Sequence, residues 1–290
     1  MRAALLLVSS LGLLLSSCGL PPGDSGSQRE QALLGGSRCT ETAISVTCPH
    51  DHRDLPVDDL GIAKRRVYFQ TPLGTPPTGG WPVVLLFQGS FFSAELCFQG
   101  VMGEPFGAYY QGLTVKQLLD AGFAVLAPQT HLIGTTFWDT DIPPFSVAWK
   151  LAPDHKFMLA ILDAIEGGEL GPLNPLRLYA AGISSGGYMT SRMAVSYPGR
   201  FKALAIQSAS YATCPVGPLC AVPSLPADHP PTLFLAGVLD PLVPLWTIEA
   251  YHTRLVAEGH NTQIIVRDLA SHEWIPEAPE AVVDWFLASP

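Results

Sequence analysis

The sequence predicts a doubly wound α/β fold, in which helices cover both faces of a mostly parallel central sheet. Seven short runs are rich in Val, Leu, Ile and Phe and are apolar on both faces, as strands buried on both sides must be. Longer segments between them carry the spacing of amphipathic helices. Strands that alternate with helices are typical of this fold class, and a chain of 290 residues with 48% hydrophobic residues can bury the core it needs.

The elements can be assigned in order along the chain. The predicted strands are RRVYFQT, WPVVLLFQ, GFAVLAPQ, LRLYAAG, FKALAIQSA, PTLFLAG and TQIIVRDL. The predicted helices are YYQGLTVKQLLDAG, DHKFMLAILDAIEGG, GGYMTSRMAVSYP, LWTIEAYHTRLVAEG and APEAVVDWFLAS. In the second helix Phe157, Ile161 and Ile165 recur on one face, as a helix packed on a sheet requires. Ligands of such sheets bind outside the carboxyl ends of the strands, so the residues that follow the strands are the candidates for a site.

The N-terminal 18 residues have the layout of a secretory signal peptide: one Arg, an apolar run too short to span a bilayer, and then small residues. The last four, Leu15 to Cys18, also resemble the bacterial lipobox, whose cysteine is lipidated. Residues 19–38 are rich in Gly, Pro and Ser, which predicts a flexible tether. We therefore expect one folded domain over residues 39–290 in an extracytoplasmic protein. It is either secreted after cleavage near Cys18 or anchored through Cys18 to the outer membrane or cell surface.

Charge and cysteine spacing exclude some partners. The net charge is −9, and the 16 Lys and Arg form no run longer than Lys64–Arg66, so nucleic acid is not an expected partner.

Export permits disulfides, and the economical pairs are Cys39–Cys48 and Cys214–Cys220, which leaves Cys97 unpaired. The stretch CPHDH, which begins at Cys48, is the only one that resembles a metal site. A polar loop beside a disulfide explains it better, so no metal is expected.

A Gly-x-Ser-x-Gly pattern surrounds Ser184 in the stretch YAAGISSGGYM. Ser184 follows a predicted strand and precedes a predicted helix, which is the arrangement of a nucleophile elbow. In this sharp turn Gly182 and Gly186 must lack side chains so that strand and helix can pack. The alternative is that Ser184 or Ser185 caps the helix. The position between strand and helix favours Ser184 as a nucleophile.

A serine hydroxyl needs a base to take its proton, and an oriented histidine is the usual base. In the α/β-hydrolase fold the order along the chain is serine, acid, histidine, which excludes the histidines before Ser184. Of those after it, only His272 follows the last predicted strand at its carboxyl end. The others lie before a strand, within a helix or at the opposite end of the sheet: His229, His252 and His260. His272 is therefore the predicted base.

The acid that holds the imidazole should also follow a strand between these two residues. Asp240 comes three residues after the strand PTLFLAG, and the turn-forming Asp240-Pro241 fixes it in a loop. Two competitors are less well placed, because Asp228 precedes the strand and Asp268 still lies on the last one. We therefore predict a triad of Ser184, Asp240 and His272.

Attack by a serine on a carbonyl group also needs N–H donors for the oxyanion that forms. The backbone N–H of Ser185 is one. The second should come from the loop QGSFF after an early strand, and either Ser90 or Phe91 could supply it. The loop between Cys214 and His229 is short and rich in proline, so we expect no large cap domain and an open site. Aromatic residues near the triad could line an acyl groove or merely cover the core: Phe91, Phe92, Trp246 and Trp274.

Six stretches between about Cys39 and the C-terminus carry a likeness to a known family: QTPLGTPPTGGWPVVLLFQGSFF, GISSGGYMTSRMAVSYPG, YATC, GPLC, LPADHPPTLFL and HEW. In these stretches the chain resembles the extracellular depolymerases of medium-chain-length polyhydroxyalkanoates. The Gly-Ile-Ser-Ser-Gly form of the serine pattern is characteristic of that family. The resemblance implies an α/β-hydrolase with the same triad, Ser184, Asp240 and His272. It further implies a serine esterase that cuts 3-hydroxyacyl polyester bonds, without metal, cofactor or a separate substrate-binding domain.

Two alternatives use the same observations. One is a general carboxylesterase or lipase that acts on short or medium acyl esters with the same triad. The other is a non-enzymatic surface lipoprotein whose hydrolase fold serves only for binding, which the intact set of catalytic positions disfavours. Two features depart from the family pattern, namely the lipobox-like Cys18 and the position of Cys97 shortly after QGSFF.

Overall fold

The computed structural model describes residues 36–58, 62–131, 136–211, 222 and 224–290. The predicted signal peptide, Cys18, most of the tether and the Cys214–Cys220 pair lie outside these residues. The central sheet has eight strands, which lie across it in the order β11 (Thr262–Arg267), β10 (Thr232–Gly237), β9 (Phe201–Gln207), β8 (Leu173–Ile183), β5 (Trp81–Phe87), β7 (Ala124–Pro128), β4 (Lys64–Gln70) and β3 (Asp51–Pro56). Six of them run parallel, and β4 and β3 add an antiparallel edge.

All seven strands expected from the sequence are confirmed, with ends that shift by up to three residues. They are β4 (Lys64–Gln70), β5 (Trp81–Phe87), β7 (Ala124–Pro128), β8 (Leu173–Ile183), β9 (Phe201–Gln207), β10 (Thr232–Gly237) and β11 (Thr262–Arg267). Every side chain of β5 and β10 is buried, which is why these strands are apolar on both faces. The predicted α/β-hydrolase fold class is confirmed.

Four strands were not foreseen from the sequence. The edge strand β3 (Asp51–Pro56) is polar because five of its six side chains are exposed. Three short strands form a separate antiparallel sheet in the order β1-β2-β6: β1 (Thr40–Glu41), β2 (Ser45–Thr47) and β6 (Gln99–Val101). Short or exposed strands lack the continuous apolar run that marks the buried ones.

Five helices cover the sheet where the sequence predicts them: α1 (Ala108–Asp120), α2 (Pro153–Glu166), α3 (Ser185–Ser196), α4 (Leu245–Ala257) and α5 (Ala278–Leu287). Helices α1 and α5 pack on one face through residues such as Val115, Leu118 and Phe286. Helices α2, α3 and α4 pack on the other face. None of the helices in the described residues is long and apolar enough to cross a membrane.

A disulfide joins Cys39 to Cys48 across the small sheet, in agreement with the expected pairing. Because both sulfur atoms of this pair are bonded to each other, Cys48 cannot serve as a thiolate ligand in the CPHDH stretch. Cys97 is a buried free thiol, and burial raises its pKa to about 12. Cys97 therefore behaves as a small core residue rather than a reactive one.

Candidate active site

Ser184 occupies the turn between β8 and α3 in a strained conformation. Its φ of 58° and ψ of −127° lie outside the regions that most residues adopt. The backbone N–H of Ser184 donates to the Gln207 carbonyl at 3.1 Å, and its own carbonyl accepts from Tyr188 at 3.0 Å. Its hydroxyl makes no capping bond. The Ser185 hydroxyl accepts from the Trp138 N–H at 2.9 Å, so neither serine hydroxyl caps the helix.

The two glycines of the serine pattern are required by the closeness of the backbone around them. A Cβ on Gly186 would lie 2.1 Å from the Phe87 carbonyl oxygen, and one on Gly182 would lie 2.5 Å from the Gly186 oxygen. Neither position has a positive φ. The need for glycine is therefore steric crowding between β5, β8 and α3, as the sequence argument expected.

Asp240 and His272 lie together at the carboxyl edge of the sheet. Asp240 follows β10 and His272 follows β11, and Asp240 Oδ2 is 2.8 Å from His272 Nδ1. The other oxygen, Oδ1, accepts from the backbone N–H groups of Leu242 and Val243 at 2.8 and 2.9 Å. Burial acts to raise the pKa of Asp240, but the hydrogen bonds from His272 and the two backbone groups outweigh it, so the pKa is lowered. Asp240 is therefore an ionised carboxylate that orients the imidazole.

The carboxylate fixes which nitrogen of His272 can act as a base. With Nδ1–H donated to Asp240, Nε2 is the nitrogen left with a lone pair. His272 and Ser184 line the same cavity. Among the described residues, Ser184 Oγ and His272 do not share a hydrogen bond, a contact that often tightens only when substrate is bound. The rings of Phe106 and His272 meet at nearly a right angle, with 6.0 Å between ring centroids.

The structure distinguishes between the two candidates for the second oxyanion donor. The N–H of Phe91 already donates to the Thr136 carbonyl at 3.1 Å. Ser90 has no such acceptor in the described part of the chain, and it lines the cavity beside Ser184. The preceding Gly89 passes close to Ser184, since a Cβ there would lie 3.6 Å from Ser184 Cβ. Of the three candidate donors, the N–H groups of Ser185, at the first position of α3, and of Ser90 meet no acceptor among the described residues.

A cavity of about 520 Å³ opens beside Ser184 and His272. Its walls come from the QGSFF loop, the small sheet and the start of α1, and they are mainly apolar. Phe91 and Phe92 line it, as expected. Other wall residues had no signal in the sequence, because they come from the unforeseen small sheet or from turns: Val46, Leu96, Val101, Phe106 and Leu242.

Two of the aromatic residues proposed for the groove do not line it. Trp274 is only 1% exposed and belongs to the core cluster, although it is two residues from His272. Its backbone packs on Gly107, where a Cβ would lie 2.2 Å from the Trp274 carbonyl oxygen. Trp246 is half exposed on α4 and also lies outside the cavity wall. The assignment of Trp274 as a substrate-binding residue was wrong, because aromatic side chains serve the core equally well.

Gln207 connects the segments that carry the three candidate catalytic residues, and sequence reasoning missed it. Its backbone carbonyl accepts from Ser184 N–H. Its side-chain nitrogen donates to the Leu235 carbonyl on β10 at 3.0 Å, and its side-chain oxygen accepts from Ile275 N–H at 3.3 Å. The side chain is fully buried. Gln207 thus ties the turn at Ser184 to the strand before Asp240 and the loop after His272.

The other histidines after Ser184 have separate roles. His229 is buried, with Nδ1 at 2.9 Å from the Pro230 carbonyl and Nε2 at 2.9 Å from the Tyr251 hydroxyl. Burial lowers the pKa of His229 to about 4, so it is a neutral core residue. His260 contacts His229, at the opposite edge of the sheet from His272. His272 is the one that meets a carboxylate at the cavity.

A second polar cluster lies at the same edge of the sheet. His131, Asp139 and Asp154 place possible ligand atoms within 4.8 Å of one another. Asp154 already accepts from Arg65 and from the Asp139 N–H, both at 2.6 Å. Arg65 supplies the positive charge that a metal would otherwise bring. The donor set is therefore that of a buried ion network rather than of a metal centre.

Comparison with known proteins gives one close relative and many with the same fold. No family model matches the chain. It is 49% identical over 265 residues to the poly(3-hydroxyoctanoate) depolymerase of Pseudomonas fluorescens, which covers 90% of this chain and 94% of that protein.

Solved structures with the same fold include a carboxylesterase of Bacillus cereus, with a TM-score of 0.57 and 14% identity over 79% of this chain and 96% of that one. A bacterial heroin esterase matches with a TM-score of 0.54 and 17% identity over 83% of each chain. At these identities the two structures support the fold alone.

Proposed function

The chain belongs to the family of poly(3-hydroxyoctanoate) depolymerases and is a carboxylic ester hydrolase, and we propose that it cleaves medium-chain-length poly(3-hydroxyalkanoates) through Ser184, His272 and Asp240. The observation that carries the roles is the Asp240–His272 pair, whose imidazole lines the same apolar cavity as the strained Ser184. The products are 3-hydroxyacyl oligomers and monomers.

In the proposed reaction, Nε2 of His272 takes the hydroxyl proton as Ser184 Oγ attacks the ester carbonyl carbon. The N–H groups of Ser185 and Ser90 donate to the oxyanion that forms, a contribution of a few kcal/mol in typical sites. Collapse of this intermediate breaks the ester C–O bond, and His272 gives its proton to the departing hydroxyl. A water molecule then attacks the acyl-enzyme by the same route. Throughout, Asp240 stabilises the imidazolium.

The cavity supports a substrate with an aliphatic side chain. Its wall is built from aromatic and aliphatic residues such as Phe92, Val101 and Phe106, and a buried apolar side chain gains about 25 cal/mol per Å² of surface removed from water. The T-shaped contact of Phe106 with His272 places apolar surface beside the base. The alternative of a general carboxylesterase or lipase uses the same triad, so only the choice of substrate separates the two.

The test is clearing of a poly(3-hydroxyoctanoate) latex by the purified protein, beside poly(3-hydroxybutyrate), tributyrin and p-nitrophenyl esters. We expect clearing of the medium-chain polymer. Turnover of the short esters without clearing of either polymer would contradict the substrate and leave the esterase. Ser184→Ala should remove activity by roughly 10⁴-fold or more while the protein stays folded, since triad members act as a unit. If the wild type showed none of these activities, that result would favour the non-enzymatic lipoprotein.

We propose further that the protein is exported and held at the cell surface through a lipidated Cys18. The Cys39–Cys48 disulfide fits an extracytoplasmic location. Metabolic labelling with a fatty-acid analogue should mark the wild type and leave Cys18→Ala unmarked. Recovery of unlabelled wild-type protein from the medium would point instead to ordinary secretion. Mass mapping without reduction of the same sample tests the predicted Cys214–Cys220 pair.

A further inference from the structure

Large apolar side chains surround the mouth of the cavity, and many of them face solvent. Five residues line the cavity and are nevertheless exposed: Phe91, Leu96, Val101, Phe106 and Leu242. Phe91 is the extreme case, with 79% of its surface accessible. Exposing such a group of side chains at one place costs solubility, so contiguous apolar patches of this kind mark interaction surfaces.

The exposed group continues beyond the cavity onto the small sheet. Val101 pairs with Ser45 in the β2–β6 ladder, and the Met102 N–H donates to the Ile44 carbonyl at 2.7 Å. Ile44 and Met102 are exposed, and neither lines the cavity. We call the seven residues together the mouth surface: Ile44, Phe91, Leu96, Val101, Met102, Phe106 and Leu242.

The residues that line the cavity carry little charge, which suits an uncharged partner. Among the residues that line the cavity in the described part of the chain, none is Lys or Arg. Glu104 is their single carboxylate, and it accepts from the Val101 N–H at 2.9 Å. An anionic lipid bilayer attracts clusters of Lys and Arg, which the cavity wall lacks. An aliphatic polyester carries no charge and exposes alkyl chains.

We propose that the mouth surface is where the enzyme adsorbs to a polyester particle. This inference rests on the proposed function. A chain at the surface of a solid cannot diffuse into a cavity, so the cavity must be brought to the particle with its opening against the polymer. Because five of the seven residues belong to both the mouth and the cavity wall, adsorption there leads a polymer segment directly towards Ser184. Substitution of two exposed pairs of side chains, one on the mouth surface and one away from it, can therefore separate adsorption from catalysis.

The experiment measures adsorption of the exported protein to poly(3-hydroxyoctanoate) particles in a Ser184→Ala background, where no hydrolysis occurs. The variant is Ile44→Ser with Met102→Ser, at side chains that are 60% and 50% exposed and lie outside the cavity. The matched control is Leu176→Ser with Val256→Ser, which are 78% and 56% exposed. Leu176 lies in the first half of β8 and Val256 at the end of α4. Both therefore lie towards the amino ends of the parallel strands, whereas the cavity is at their carboxyl ends.

We expect the mouth variant to bind particles about tenfold more weakly, because it lacks two apolar side chains that become partly buried against the polymer. The control should bind like its parent. With Ser184 restored, the mouth variant should clear the latex more slowly but hydrolyse a soluble p-nitrophenyl ester at the wild-type rate. Equal adsorption of mouth variant and control would overturn the proposal. The proposal would also be overturned if the mouth variant lost binding to anionic phospholipid vesicles but bound the polymer as its parent does.

The two proposals fail in different ways. Clearing by the wild type decides the substrate on its own. Clearing that the mouth substitutions do not affect contradicts the adsorption surface and leaves the depolymerase intact. Adsorption that depends on the mouth, without clearing by the wild type, contradicts the substrate.

Discussion

Two histidine–aspartate pairs lie at the carboxyl edge of the sheet, and their surroundings differ. In one, His272 Nδ1 is 2.8 Å from Asp240; in the other, His131 Nε2 is 3.1 Å from Asp139. Sequence reasoning set His131 aside because it precedes Ser184 in the chain. The structure gives a physical reason, since His272 lines the cavity with Ser184 and His131 does not.

The carboxylates of the two pairs differ in what else they meet. Asp240 accepts from two neutral backbone N–H groups, and among the described residues His272 is the side chain that it orients. Asp139 is instead tied through its backbone N–H to Asp154, which pairs with Arg65, and Arg65 lies over the Phe157 ring. The Asp240 carboxylate is thus surrounded by neutral donors and one imidazole, whereas Asp139 lies beside a second buried acid whose charge an arginine balances.

The strongest test of the difference between the two pairs is to neutralise each carboxylate in turn. Asp240→Asn should lower kcat/KM by about 10⁴-fold, because an amide no longer holds the reactive tautomer of His272 or stabilises its cation. The matched change Asp139→Asn should leave turnover of a soluble ester within a few-fold of wild type. Steady-state kinetics on p-nitrophenyl butyrate measures both. A comparable loss in the two variants would show that the pairs are not distinct in function.

The next effect concerns stability rather than turnover. Arg65→Met leaves Asp154 buried without its ion pair and should lower the free energy of unfolding by about 3–5 kcal/mol. The control is the neighbouring Arg66→Met, whose pair with Asp54 is partly exposed and worth no more than about 1 kcal/mol. Urea denaturation followed by fluorescence measures the difference. Equal effects would mean that Arg65 and Asp154 are not a structural pair.

Gln207 should support the Asp240–His272 pair through its hydrogen bonds to the segments that carry the two residues. Gln207→Met keeps the size of the side chain but removes the hydrogen bonds to Leu235 and Ile275. We expect kcat to fall about tenfold with KM little changed, together with a loss of about 2 kcal/mol of stability from the unpaired groups. Kinetics on a soluble ester gives the split between kcat and KM. A variant that is destabilised yet keeps the wild-type kcat would make Gln207 purely structural.

The smallest effect is a difference in pH dependence. The hydrogen bond to Asp139 raises the pKa of His131, so its contribution to stability is complete below the unfolded value of about 6.5 and is lost as pH rises through the folded value. The lowered pKa of Asp240 acts in the opposite sense: its contribution is present above about 3.8 and is lost as pH falls through the folded value.

Unfolding free energies of wild type and His131→Asn across this range should therefore approach each other on the alkaline side of pH 6.5. Curves that stay parallel there would contradict a charged His131–Asp139 pair.

The sequence by itself determined the elements that are buried. The seven long strands and five helices follow from apolar runs and helical spacing, because burial on both faces leaves no room for polar residues. Ser184, Asp240 and His272 could be chosen because each follows a strand that the sequence marks, and the fold brings those strand ends together. Gly182 and Gly186 were chosen for crowding, which the distances to Phe87 and Gly186 bear out.

Only the tertiary structure decided which side chains share the cavity. Trp274 and Phe106 are both aromatic and both near His272, yet one is in the core and the other forms the wall. The Phe91 N–H meets the Thr136 carbonyl, whereas no carbonyl in the described part of the chain meets the Ser90 N–H. Gln207 is a polar residue at a strand end whose partners lie 28 and 68 positions away. Such contacts depend on how separate segments meet in space, and local periodicity carries no information about that.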